Sequence, residues 1–227
     1  GVLIPGQGLS GSTIIVTASG PALEEIVDQF GALKVGAGRF DLSGKIRMLE
    51  DAVRFDDLKL VRDRGALSAN FEIGRSASRP RMKFDLQTQG GDISAMFTGT
   101  ERFAINEMPY SIVARGQRDG DLWSIDNLTL DAGDMELRAA GELAFGADKA
   151  GALFRFQGNI PDLSDIGTID GRPIHPQNVN WDAIVSGSDG ELRINDVTLE
   201  IGDSEINGSL LYKPGSVPEL DIELLSD

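Results

Sequence analysis

The stretch "SIDNLTLDAGD" at residues 124–134 has the form of a strand, an Asp/Asn pair, a second strand and a closing Gly or Asp. Two other stretches share this form: "RFDDLKLVRDRG" at 54–65 and "RINDVTLEIGD" at 193–203. When the three are aligned, their apolar residues fall at the same positions, although many of the other letters differ. The chain is therefore predicted to contain one structural unit in three divergent copies.

The spacing of the aligned positions gives the length of the unit. Leu58 and Leu128 lie 70 residues apart, and Leu128 and Val197 lie 69 apart. An independent apolar series has steps of 70 and consists of Leu23, Ile93 and Leu163. Internal repeats of this kind are typical of solenoids and other arrays. We interpret residues 1–227 as a single repetitive domain, with approximate units at 23–92, 93–162 and 163–227, the last one truncated.

Within each unit the apolar residues alternate with polar ones, as in Met82, Phe84 and Leu86. Period two is the pattern of a β-strand with one face hidden from water. The sequence predicts an all-β fold, an elongated and repetitive antiparallel sheet of about fifteen strands that curls into a groove. One short helix is expected near residues 21–30, because proline suits its first position and Gly31 its end.

The Asp/Asn pair has a structural interpretation. Phe55 and Leu58 are an odd number of residues apart, so a regular strand would point them to opposite faces. A bulge or corner is therefore expected in each copy, at Asp56-Asp57, Asp126-Asn127 and Asn195-Asp196. A calcium site or a catalytic carboxylate pair is disfavoured there, because Asp and Asn interchange among the copies and no third ligand follows.

The composition excludes several classes of function. The chain has 227 residues, of which 21 are basic and 36 acidic, and its formal net charge is −15. A surface of this sign repels nucleic acids, so no nucleic-acid partner is expected. The absence of cysteine rules out disulfides and thiolate metal sites. No apolar run is long enough to cross a bilayer, so we expect a soluble chain or a soluble piece of an anchored protein.

The residues that could carry chemistry form no recognisable site. "GQGLSG" at 6–11 has the glycines of a dinucleotide loop, but a strand rather than a helix is expected after it. His175 is the only histidine, "RDGDL" at 118–122 has the form of a hairpin turn, and no serine-hydrolase motif occurs. No pair stands out among the many carboxylates. The sequence therefore predicts no enzyme, no metal site and no cofactor.

A longer set of motifs resembles a known family. "SGPALEEIVDQFGALKVGAGRFDLSGKIRMLEDAVRFDDLKLVRDRGALSANFEI" at 19–73, with "PRMKFDLQTQG" at 80–90, resembles the repeat of the AsmA-like family (AsmA/TamB type) of Gram-negative envelope proteins. In that repeat "p-F-x-L-s-G-x-L" is followed by "l-x-D-L-x-x-x-x-G" and later by "p-x-L-x-x-x-L-x-S". "EINGSLLYKPG" at 205–215 and "PELDIELLSD" at 218–227 carry parts of it as well. The resemblance spans nearly the whole chain.

The resemblance implies a large periplasmic protein that an N-terminal helix anchors in the inner membrane. Its repeated strands would form a groove that shelters the acyl chains of phospholipids between the inner and outer membranes. Other envelope proteins would be partners at the ends of the groove. The family supplies no catalytic residues, and this chain would be a soluble segment of such a protein.

The alternating apolar residues are the candidates for a lipid-binding groove. They are Val53, Phe55, Leu58, Leu60, Phe71, Phe84, Trp123, Ile125, Leu128, Leu130, Phe154, Phe156, Leu192, Ile194, Val197 and Leu199. The same residues also fit an ordinary sheet core. The alternative function is therefore a structural or adhesion solenoid with a closed core that binds a protein partner. A β-helical glycosidase is third, and a carboxylate pair in a cleft would be its signature.

Overall fold

The chain folds almost entirely into β-strands in the part that the structure describes. In this computed structural model the described residues are 10–21, 38–62, 65–76, 79–94, 103–144, 151–188, 191–213 and 219–226. The strands are β1 (Thr13–Gly20), β2 (Phe40–Met48), β3 (Ala52–Arg62), β4 (Gly65–Gly74), β5 (Arg81–Gly90), β6 (Phe103–Ile105), β7 (Tyr110–Asp119), β8 (Leu122–Ala132), β9 (Met135–Ala144), β10 (Gly151–Ile160), β11 (Gly167–Ile169), β12 (Arg172–Pro173), β13 (Val179–Ser188), β14 (Glu191–Ile201), β15 (Ser204–Lys213) and β16 (Glu219–Ser226). A 3-10 helix covers Leu163–Asp165.

Thirteen strands form one continuous antiparallel sheet. Their order is β1-β2-β3-β4-β5-β7-β8-β9-β10-β13-β14-β15-β16, with β1 and β16 at the two edges. Each strand therefore pairs with the next long strand along the chain, which is a meander. The expected all-β class and long antiparallel sheet are confirmed. The helix expected near residues 21–30 lies, apart from its first residue, outside the described part of the chain.

Blocks of four long strands recur along the sheet. The blocks are β2–β5, β7–β10 and β13–β16, and their second strands begin at Ala52, Leu122 and Glu191, about 70 residues apart. Within each block at most six residues separate one strand from the next, whereas two longer connections, at 91–109 and 161–178, separate the blocks. The spacing found in the sequence is therefore the spacing of equivalent strands in one sheet.

Each Asp/Asn pair coincides with a β-bulge, as expected. The register of the ladder shifts once in each block, at Phe55/Leu58, Ile125/Leu128 and Ile194/Val197. The bulge absorbs one extra residue, so that Phe55 pairs with Phe71 and Leu58 pairs with Ala69 on the same face of the sheet. Without it, half of the apolar residues of β3 would point to the opposite face.

The bulges differ in backbone conformation. Asp57 and Asp196 have positive φ angles of 53° and 50°, whereas the equivalent Asn127 does not have a positive φ. The amide of Asp57 donates a hydrogen bond to Asn70 Oδ1 on β4 at 2.9 Å. The Nζ atom of Lys45 on β2 donates a hydrogen bond to the Asp57 carboxylate at 3.1 Å. Aspartate tolerates the left-handed region better than most residues, which explains its use at these two bulges.

The connections between the blocks pair with each other. β6 from the first connection and β11 from the second are antiparallel neighbours, and with β12 they form a three-stranded sheet. Near it, the amide of Asn106 donates to the carbonyl of Ile166 at 2.8 Å. This pairing ties the second repeat unit to the third outside the large sheet.

Both connections begin with the same side-chain turn. Asp92 Oδ1 accepts hydrogen bonds from the amide and the hydroxyl of Ser94, at 2.8 and 2.6 Å. Asp162 accepts the same two bonds from Ser164, at 2.8 and 2.7 Å. These bonds stabilise the ionised carboxylate and hold the pKa of Asp162 below its usual value. The repeat therefore extends into the connections as well as the strands.

The ends of the long strands form two unlike rims. At one rim, here called the connection rim, the connections at 91–109 and 161–178 leave and re-enter the sheet. At the other, here called the hairpin rim, strands are joined by turns such as the one between β7 and β8. Gly120 in that turn has a φ of 65°, and the hairpin predicted at "RDGDL" is confirmed.

The positive φ at Asp196 gives a stability prediction. Asp196→Val should lower the free energy of unfolding by about 1–2 kcal/mol, because a β-branched side chain fits the left-handed region poorly. Asp196→Gly should leave stability unchanged or slightly higher. Urea denaturation of each variant measures the change.

Asn127→Val is the matched control, because Asn127 occupies the equivalent bulge without a positive φ. It should lose less stability than Asp196→Val. Equal losses at the two positions would show that backbone strain is not the cause.

Candidate functional site

The register of the large sheet shows which side chains share a face. Directly paired residues point to the same side of an antiparallel ladder. Following the pairs outward from Phe55 gives a row of side chains that crosses the sheet from edge to edge. The row consists of Ile14, Ile46, Phe55, Phe71, Phe84, Gly116, Ile125, Gly141, Phe154, Val185, Ile194, Leu210 and Ile222. Each of these residues is apolar or glycine, and we call this side of the sheet the apolar face.

All sixteen residues predicted to line the groove lie on the apolar face. Rows on either side of the first one contain the rest: Trp123 pairs with Leu143, Leu128 with Ala139, and Leu130 with Leu137. The equivalent residues of the first and third blocks stand on the same face of the sheet. The register therefore places the sixteen residues on one face of the sheet, and their lining of a lipid-binding groove stays a prediction.

The apolar face is not sealed. None of the sixteen predicted residues is buried; Leu128, Phe156 and Leu192 are exposed by 37–39%, and the others are half-buried. Only nine apolar residues in the described part of the chain are buried, and several of them are alanines between larger neighbours. A closed core would bury leucine and phenylalanine side chains first.

Burial is concentrated at the connection rim. Phe40, Ala132, Ile160 and Val179 stand at the strand ends there, and all four are at most 7% exposed. Ile93, in the first connection, is only 2% exposed. The connections and the strand ends thus form a small core along this rim. The hairpin rim has no comparable cluster among the described residues, and Ile73 near it is 43% exposed.

Large side chains on the apolar face lie over glycines of neighbouring strands. A Cβ atom added to Gly116 would be 2.8 Å from Phe84 Cζ. At Gly158 an added Cβ would collide with the indole ring of Trp181, its cross-strand partner. Aromatic rings that cover glycines in this way protect the backbone and fix the register. They also keep the apolar face smooth, because the ring fills the space that a side chain would occupy.

The opposite face of the sheet is mostly polar, although it also exposes apolar side chains such as Leu153, and it carries ion pairs between neighbouring strands. Arg115 Nε is 3.0 Å from Asp85 Oδ2, and Arg155 Nη2 is 2.6 Å from Asp182 Oδ2. The hydrogen bond from Arg155 is the main reason that the pKa of Asp182 lies below its usual value. These carboxylates accept bonds from arginine and show no environment suited to acid/base catalysis.

The apolar face carries two charged residues at paired positions in the described strands. Arg62 stands at the connection rim, where β3 ends. Arg118 on β7 stands near the hairpin rim, opposite Trp123 of β8. Its guanidinium carbon is 5.3 Å from the centroid of the Trp123 ring. Neither residue was singled out by the sequence pattern, because one arginine in an alternating strand is unremarkable on its own.

Comparisons with known proteins do not identify the chain. No family model, curated protein or solved structure matches it. In the described residues no helix is long and apolar enough to span a membrane, and no cluster of three or more potential metal-ligating side chains occurs. His175 is exposed, and its Nδ1 is 3.2 Å from the carbonyl oxygen of Pro176.

The sequence pattern missed the pairing of the two connections. The signal was present, because Asp92-Ile93-Ser94 and Asp162-Leu163-Ser164 repeat one local turn at the period of the unit. A turn motif that recurs at the repeat period indicates that the repeat continues beyond the long strands. Which segment pairs with which is a long-range contact, and no local pattern determines it.

The contact between Gly158 and Trp181 gives a second stability prediction. Gly158→Ala should destabilise the sheet by about 1–3 kcal/mol, because the new methyl group displaces the indole ring. Gly187→Ala is the matched control on the same pair of strands, since its added Cβ would have no neighbour closer than 3.4 Å.

Thermal denaturation and tryptophan fluorescence measure the two variants. We expect a lower Tm and a shifted emission maximum for Gly158→Ala, and little change for Gly187→Ala. A Gly158→Ala protein with unchanged stability and emission would contradict the packing described for Trp181.

Proposed function

We propose that this chain is a segment of a lipid-transfer groove of the AsmA-like type, and that its apolar face shelters the acyl chains of phospholipids. One observation carries the proposal: apolar side chains cross all thirteen strands on one face, and none of the sixteen predicted groove residues is buried. Contiguous apolar patches of more than a few hundred Å² are uncommon on soluble monomers and mark binding surfaces.

The dimensions of the sheet suit a long apolar ligand. Thirteen strands about 4.8 Å apart span on the order of 58 Å, far more than a small-molecule pocket requires. Transfer of a methylene group from water to an apolar surface is worth about 0.8 kcal/mol when it is fully covered. A few methylenes per strand are therefore enough to hold a chain without any polar contact.

The repetition supports movement along the face. Equivalent side chains recur in each block, as at Leu58, Leu128 and Val197, so a bound chain meets a similar surface at each position. Similar binding energies at successive positions make the barriers between them low. The polar face, with its ion pairs and a net charge of −15 for the chain, favours contact with water on the other side of the sheet.

This proposal places the chain in the periplasm, as part of a protein anchored in the inner membrane. Among the described strands, the edge strands β1 and β16 each have one neighbour in the large sheet, so we propose that their outer edges pair with further strands. Envelope proteins that meet the groove at its ends are proposed as partners at these edges. No catalytic residue and no cofactor form part of the proposal.

Lipid extraction tests the proposal directly. The purified chain, made in a Gram-negative host, should release phospholipids that mass spectrometry identifies, in amounts comparable with the protein. It should also take up a fluorescent phospholipid from detergent micelles. A protein that is folded, carries no lipid and takes none up would contradict the proposal and favour a scaffold that binds a protein partner.

Leu128→Asp tests whether the apolar face itself holds the lipid. Because Leu128 is 37% exposed, the variant should fold with a small loss of stability but should bind several-fold less lipid. Thr129→Asp is the control on the polar face, where the new carboxylate stands opposite Arg138. It should bind lipid like the parent chain.

A third variant tests whether the apolar face is an exposed surface or a closed core. Ala139, the partner of Leu128, is only 8% exposed, so Ala139→Asp should lower stability strongly. Circular dichroism and urea denaturation measure the effect. If Leu128→Asp unfolds the chain as Ala139→Asp does, the apolar face is a closed core and the lipid proposal fails.

A further inference from the structure

A positive charge lies within the apolar face. Arg118 is half-buried, and its cross-strand neighbours on this face are Met82 and Trp123. Its guanidinium is 5.3 Å from the centroid of the Trp123 ring, and its Nε donates a hydrogen bond to the carbonyl of Gly120 at 2.7 Å. The ring and the turn thus hold the side chain at the hairpin rim.

This cation differs from the arginines of the polar face. Arg115, three positions earlier on β7, is paired with Asp85, whereas no carboxylate of the described residues lies within ion-pair distance of Arg118. A half-buried guanidinium has lost part of its hydration, and one hydrogen bond to a carbonyl uses only one of its five N–H donors. The remaining donors are suited to an anion.

The repeat shows that the fold does not require this arginine. The pair Arg118 and Trp123 corresponds to Met48 and Val53 in the first block, and to Gly187 and Leu192 in the third. The sheet forms with uncharged residues at both equivalent positions. A purely structural function would be expected to recur in each copy, so the arginine is a feature specific to the second block.

Neighbouring charges make this part of the hairpin rim more positive. Arg79 donates to Asp119 Oδ2 at 2.7 Å, and Arg81 Nε is 3.8 Å from Asp119 Oδ1. A Cβ added to Gly120 would be 3.8 Å from Arg79 Cγ, so Arg79 lies beside the turn that follows Arg118. The pair Arg81 and Asp119 points to the face opposite to Arg118. Two guanidinium groups thus share one carboxylate behind Arg118, in a chain whose overall charge is strongly negative.

We propose that Arg118 binds the phosphodiester of a phospholipid whose acyl chains lie on the apolar face. This inference rests on the proposed function. A guanidinium offers paired donors that match two phosphate oxygens, and it is the preferred group for phosphate in a partly desolvated place. Tryptophan favours the boundary between acyl chains and headgroups, because its ring is apolar and its N–H is polar. The headgroup would stand at the hairpin rim, with the chains directed across the sheet.

The test compares two lipids that have the same acyl chains. Dioleoyl phosphatidylethanolamine contains the phosphodiester and has no net charge, whereas dioleoylglycerol lacks the headgroup. Binding of each to the chain is measured in detergent micelles by fluorescence competition. Arg118→Met introduces the residue found at the equivalent Met48, and Arg115→Met is a matched control that removes a charge from the polar face of the same strand.

Arg118→Met should weaken binding of phosphatidylethanolamine by about tenfold and leave binding of dioleoylglycerol unchanged, while Arg115→Met changes neither. An equal loss for both lipids would make Arg118 a packing residue and overturn the inference, as would no loss for either. If the parent chain binds neither lipid, the proposed function itself fails. Inorganic phosphate should not compete at millimolar concentration; competition that Arg118→Met abolishes would indicate a free anion as the ligand instead.

Discussion

The structure depends on one constraint, which is that every strand of a very long sheet must point its apolar side chains to the same side. A slip of one residue in any of the twelve strand pairs would send the next apolar set to the opposite face. The bulges at Asp56-Asp57, Asp126-Asn127 and Asn195-Asp196 meet this constraint, because each corrects the parity of a strand whose apolar residues change phase. Glycines covered by cross-strand rings, such as Gly158 under Trp181, fix the register further.

Among the described residues, no second layer covers the apolar face of the large sheet. Its stability rests on backbone pairing along the strands, on contacts between neighbouring side chains of one face, and on the small core at the connection rim. The buried residues Phe40, Ile93 and Ile160 all belong to that core. The two rims therefore differ in burial, and the proposed ligand would reach the apolar face from the hairpin rim. This asymmetry follows from the placement of the long connections, both of which lie at the same ends of the strands.

The sequence was informative wherever a local pattern repeated. The alternation of apolar and polar residues predicted the strands, and the repeat of about 70 residues predicted the blocks. The odd spacing of Phe55 and Leu58 predicted the bulges. The sixteen candidate residues share one face as expected, because alternation alone assigns a strand residue to a face. The pairing of β6 with β11 was not foreseen, since it joins residues about 60 positions apart through short strands that have no alternation. Arg118 was missed for a different reason: its significance lies in the side chains around it and in the copies that lack it.

On the apolar face, residues that recur in every block and residues present in only one block have different physical consequences. Where the blocks present the same residues, a bound acyl chain would gain the same free energy in each, and the surface would distinguish neither position nor headgroup. A residue present in one block alone creates a difference in binding energy between that block and the others. Arg118 beside Trp123 is such a difference, because Met48 and Gly187 in the equivalent places offer no donor to an anion. In the proposed groove, identical units alone would hold acyl chains without orienting them, whereas one fixed cation at the hairpin rim would define where a phosphate stops and on which side of the sheet it faces water.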